Sequence, residues 1–160
     1  MLKWVLILKK IQLLLKTLQI CYTGGVPSIN SIVDSCNLAS LACQMPVGVF
    51  DIDQIEGNLI LRLSKEGDTY EPIGRDEESL SDSVVVLADD KGIIARPMYK
   101  DSKRTMISHS TKNILIITVK YPSITDQDIK EVLDLATEIV IKSSQGVVGE
   151  RILFEKQFSS

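Results

Sequence analysis

Aromatic side chains make up only 5% of this 160-residue chain. Its core must therefore come mainly from Ile, Leu and Val, which serve strands and helix stripes alike. Histidine is scarcer still. His109 stands alone and cannot assemble a multi-histidine metal centre. Its neighbours Ser108 and Ser110 are too close in sequence to face it productively, and no orienting acid is implied. The three cysteines, Cys21, Cys36 and Cys43, form an odd count without a CxxC spacing, which points away from a disulfide framework and from zinc and suits reduced thiols in the cytoplasm. No glycine pair follows a predicted strand in the spacing that cradles phosphate. The longest early apolar run, residues 4–8, is cut by Lys9 and Lys10. It is far short of the roughly 20 residues a membrane span needs.

With 44% hydrophobic and 24% charged residues, the chain has the makeup of one globular domain. Residues 1–22 predict an amphipathic helix that turns Trp4, Leu8, Ile11, Leu14, Leu15 and Leu18 inward. It joins a single domain over residues 23–160. TGGVP at 23–27 breaks the first helix. A second follows, capped by Ser28 or Asn30 and carrying Ile29, Ile32, Val33 and Cys36 on one side, and it ends before Pro46. Residues 59–63 predict a strand with residues 69–73 returning beside it, and residues 75–82 a solvated loop. Two β-branched runs, 83–88 and 93–98, flank the turn Asp89-Asp90-Lys91-Gly92 and predict a hairpin. Residues 113–120 predict another strand. A helix from 126 to 143 starts at Thr125 with Asp128 in the reciprocal capping position, buries Ile129, Val132, Leu133, Ala136, Ile139 and Val140, and closes at Gly146. The tail from Val147 predicts one more strand. Helices at both ends and strands between them give an α+β domain, with mixed or antiparallel sheets flanked by helices.

Asp51, Asp53 and Glu56 lack the offsets of a calcium loop and suit turn and cap chemistry. The distribution of charge is more informative than its total of −3. From residue 95 to 112, five basic residues (Arg96, Lys100, Lys103, Arg104, Lys112) face the single acid Asp101, while residues 66–82 carry seven acids and only Arg75. Two faces of opposite sign are expected, the basic one able to meet phosphate oxygens.

The stretches VPSINSIVDSCN, QMPVGVFDIDQIEGNLILRLSKEGD, SVVVLADDKGIIAR and STKNILI together resemble the editing module formed by the third and fourth domains of the phenylalanyl-tRNA synthetase beta subunit, including its stand-alone relatives. The resemblance covers about residues 25–117. It implies a layered α+β fold with an unusual sheet arrangement, no metal or organic cofactor, and binding of tRNA or aminoacyl-tRNA with hydrolysis of a mischarged amino acid in trans. The implied pocket uses Cys36, Asn37, Gly48, Phe50, Asp51, Arg96, Arg104 and Thr105, with Pro46 and Gly48 shaping a turn that Phe50 buries and Asp51 fixes. Lys100, Lys103, Arg104 and Lys112 are the implied RNA contacts. Two positions depart from the synthetase pattern: Gly48 stands where it has a histidine, and Ile117 where it has a glutamate. In the synthetase those side chains discriminate tyrosine and position water. An alternative reading is therefore a non-enzymatic pocket for an amino acid or small metabolite, with Arg96, Arg104 and Thr105 gripping a carboxylate.

Overall fold

A computed structural model of the chain describes residues 28–120 and 122–150. The predicted helix over 1–22, and the tail strand from residue 151 onward, lie outside the described residues. Helix α1 spans Ser31–Cys43 and α2 spans Asp126–Ser144. Between them run β1 Val47–Asp51, β2 Ile60–Leu63, β3 Thr69–Tyr70, β4 Glu78–Ser79, β5 Val85–Ala88, β6 Ile93–Arg96, β7 Lys100–Asp101 and β8 Ile114–Thr118. The α+β class holds.

The helix ends follow the expected capping chemistry with two shifts. Asn30 caps α1, its side chain accepting from the Ile32 and Val33 amides, so Ile29 lies outside the helix and is exposed. Thr125 and Asp128 form the capping box of α2. That helix closes on Gln145 in the left-handed conformation, φ 57°, rather than on Gly146. Gln44 closes α1 in the same way, because Pro46 follows too soon for another turn.

Strands β1 and β8 pair antiparallel as a two-stranded ribbon. One face of the ribbon meets the helices through Val47, which packs with Met45, Ile129, Val132 and Leu133. The other carries Phe50 and Ile117 against Ile94 and Ala95 of β6. This second face rests on a four-stranded antiparallel sheet, ordered β2-β5-β6-β7. The far side of that sheet holds Val86, Ala88 and Ile93, covered by Tyr70 and Leu80. The order of layers is helices, ribbon, sheet, and a short β3–β4 ribbon.

The hairpin predicted across Asp89–Gly92 is present as β5–β6, with a bulge between Leu87 and Ala88. Residues 69–73 do not return beside β2. β3 pairs with β4, inside the stretch read as a solvated loop, and Leu80 at the end of that stretch is buried. The partner of β2 is β5. Residues 47–51, read as a turn, form a strand, and the turn begins only at Asp51.

Candidate functional site

The two positions that depart from the synthetase pattern meet in space. Gly48 and Ile117 are register partners across the β1–β8 ladder, so their side-chain positions share one face. Phe50, two residues along, lies on that face, and its ring folds back over the glycine. A Cβ added at Gly48 would lie 3.0 Å from the Phe50 Cε2 and 3.1 Å from its Cζ. The space a longer side chain at 48 would enter is thus filled by an aromatic ring, which packs with Ile94, Ala95 and Ile117. No acid or base stands at this rung.

Asp51 behaves as expected of a turn-fixing carboxylate. It is buried, accepts the Asp53 amide at 3.1 Å and accepts the Thr111 hydroxyl at 2.6 Å. Asn113 Nδ2 donates to both carboxylate oxygens of Asp53 at 3.1 Å, so the exit of β1 and the entry of β8 are stapled twice. Cys36 is 1% exposed on α1, and burial pushes its thiol up to about 11, which makes it a core residue and a poor nucleophile. Asn37 is half-buried beside it. No hydrogen bond or ion pair among the described residues joins Asn37 to Asp51 or Arg96. A shallow cavity of about 620 Å³ is lined by Arg62, Leu63, Ser64, Lys65, Asp82 and Ser83 among others, and contains none of the expected pocket residues.

The basic segment and the acidic segment do not form separate faces. They pack on each other, because the loop from β3 to β4 is tied to the β7 region by Ile73 N–H to Asp101 O, 3.0 Å, and Lys103 N–H to Glu71 O, 2.9 Å. Lys103 pairs with Glu71 at 2.6 Å. Lys100 Nζ donates to the Ile73 carbonyl at 2.8 Å. Arg104 makes a two-point contact with Asp89, NH2 to Oδ1 at 2.7 Å and NH1 to Oδ2 at 3.0 Å, and also donates to the Gln54 carbonyl at 2.8 Å. Burial raises the Asp89 carboxyl, but hydrogen bonds from Arg104 and from the Glu56 and Gly92 amides outweigh it, and its pKa ends below the usual value. Arg104 is therefore an architectural cation. Thr105 is fully buried, and its hydroxyl has no partner among the described residues. Of the expected RNA contacts, Lys112 is exposed.

Arg96 differs from the other cations. Its guanidinium lies 4.5 Å from the centroid of the Tyr99 ring, and it has no carboxylate partner among the described residues. Tyr99 is held in turn by its hydroxyl on Glu78, 3.3 Å, and by Arg75, 5.7 Å from the ring centroid. Below them Tyr70 is 4% exposed with an unpartnered hydroxyl. Burial, with Glu78 next, pushes that phenol up to about 12. Asp101 completes the group, and its carboxylate accepts no hydrogen bond from the described residues.

These groups were only partly legible. Tyr70 and Glu78 fell in stretches read as a strand beside β2 and a loop. The one signal for Asp101 was that it is the single acid in a basic segment.

Burial pushes the Asp101 carboxyl up to about 6 from its ordinary 3.8. An acid whose pKa is higher folded than unfolded takes up a proton on folding, so its contribution is most favourable below about 3.8 and is lost as pH rises through 6. Asp101→Asn removes that penalty. It should raise stability at pH 7 by about 1–3 kcal/mol and change it little at pH 4. Urea unfolding at the two pH values checks this, and a gain of equal size at both would refute it.

Comparison with known proteins agrees with this architecture. The profile of the B3/4 domain matches residues 9–152. The phenylalanine–tRNA ligase beta subunit of Neisseria meningitidis serogroup B is 33% identical over 93 residues, covering 58% of this chain and 12% of that subunit. The beta subunit of Fusobacterium nucleatum is 26% identical over 128 residues, 80% of this chain and 16% of its own length. The chain thus spans less than a fifth of these relatives. Among solved structures, an N-terminal fragment of the phenylalanyl-tRNA synthetase beta subunit from Pyrococcus horikoshii superimposes with a TM-score of 0.53 at 16% identity, over 62% of this chain and 34% of that one, a likeness of fold. A profile match across nearly the whole chain, joined to the ribbon-on-sheet architecture, places this protein in the B3/4 domain family, homologous to part of the phenylalanyl-tRNA synthetase beta subunit.

Proposed function

We propose that this domain binds the aminoacylated end of tRNA and acts in trans on mischarged aminoacyl esters, if it turns them over, only by holding a water in position. The reading is supported by family membership over residues 9–152. The limit on turnover comes from one observation: the Gly48–Ile117 rung is apolar and filled by Phe50, so it offers no general acid or base. Positioning alone can still accelerate attack on an activated ester, but far less than positioning with proton transfer, which adds roughly 10²–10⁴-fold.

A panel of mischarged tRNAs tests both parts. The expected result is retention of tRNA at low salt with a shallow salt dependence, because Lys103 and Arg104 are engaged by Glu71 and Asp89. Deacylation is expected to be slow. Absence of retention together with release no faster than buffer would discard the proposal.

The second reading is a non-enzymatic site for an amino acid or small metabolite. It is favoured by Arg96, which carries a charge that no carboxylate of the described protein neutralises. A ligand that binds the native state raises the melting temperature by mass action. A thermal-shift screen with free amino acids should find one that does so, and silence across the screen would remove this reading.

A further inference from the structure

We propose that the cluster where β3–β4 meets the β6–β7 turn is a binding site for a free α-amino acid in its zwitterionic form, with the carboxylate on Arg96 and the ammonium on Asp101. The inference rests on the small-metabolite reading and adds the site and the chemistry of its ligand.

Three polar groups in this cluster lack what each requires. Arg96 offers guanidinium donors and has only the Tyr99 ring beside it. Asp101 offers carboxylate acceptors in a desolvated setting. Tyr70 holds a buried hydroxyl with no partner, although Arg96 and Asp101 are both close enough to perturb its ionisation. An unpaired buried polar group costs about 1–3 kcal/mol, so three in one place call for an explanation. Arg96 and Asp101 do not satisfy each other. Ala95 is the register partner of Asp101 and Lys100 that of Arg96, so the two charges sit on neighbouring rungs without forming an ion pair.

Charge decides the ligand class. A simple anion would meet Arg96 but would be repelled by Asp101 and Glu78, while a simple cation would meet Asp101 and be repelled by Arg96 and Arg75. A small molecule carrying both signs a few bonds apart satisfies both, and its ammonium or carboxylate leaves the Tyr70 hydroxyl a partner. An aminoacyl ester has the ammonium but no carboxylate, so it would leave Arg96 unanswered. The cluster is also held rigid. Tyr99 is fixed by Glu78 and Arg75, and Lys100 by the Ile73 carbonyl, so little ordering remains to oppose binding.

The test titrates the free L-amino acids and their α-amides into the full chain and follows the backbone amide resonances of Arg96, Tyr99 and Asp101 by NMR. At least one free acid should shift them, and its amide should bind about tenfold more weakly or worse, as loss of a charged hydrogen bond predicts. Arg96→Gln should abolish the response. Tyr70→Phe should keep or raise the melting temperature without ligand, since it removes an unpartnered hydroxyl, and should weaken binding. The proposal is overturned if no acid moves these resonances, if amides bind as well as acids, if Arg96→Gln keeps its affinity, or if Tyr70→Phe lowers the melting temperature. A melting shift with no change at these resonances would leave the small-metabolite reading standing and remove this site.

Discussion

Arg104→Ala is expected to cost the fold about 3–5 kcal/mol, the range for removing one partner of a buried ion pair. The Asp89 side chain is fully buried, and Arg104 grips both of its oxygens while also reaching the Gln54 carbonyl. The variant therefore strands a negative charge in the interior and frees a carbonyl. Asp89 keeps three backbone donors, from Glu56, Lys91 and Gly92, so the loss should fall nearer the lower end. Denaturant unfolding at neutral pH measures it. Adding Asp89→Asn should recover part of the loss, because the stranded group is then neutral. A single-variant cost below about 1 kcal/mol would mean that the pair contributes as little as an exposed one.

Phe50→Ala should be comparably damaging, at about 3–5 kcal/mol from lost transfer energy plus the cavity left behind. Phe50 is 2% exposed and joins the ribbon to the sheet through Ile94, Ala95, Leu87 and Ile117. It also closes the space over Gly48. Gly48→His should then be tolerated better in the Phe50→Ala background than alone, since the ring that blocks the imidazole is gone. Additive costs in the double variant would show that ring and glycine do not share that space.

Local chemistry carried most of the fold into the sequence. The Thr125–Asp128 capping box, the Pro46 stop and the Asp89–Gly92 turn each depend on residues within a few positions of one another, and each was readable. The pairing of β3 was not. Two-residue strands have no periodicity to read, and the partner of β2 lies more than twenty residues downstream, at β5. At the site, Asp51 was recognisable because its role is a local cap. Arg104 was misread as a ligand-binding group because its true partner, Asp89, looked like an ordinary turn acid. The expected opposite-sign faces failed for a related reason. Charge counts along a chain do not reveal that two segments will neutralise each other across space.

That mutual neutralisation bears on kinetics. With Lys103 and Arg104 compensated within the domain, little field extends into solvent to draw in a polyanion from a distance. Encounters should therefore proceed at the unsteered pace of about 10⁵–10⁶ M⁻¹s⁻¹. Discrimination among partners would then fall to how long each stays, set by the fit around Arg96 and Tyr99 rather than by how fast it arrives.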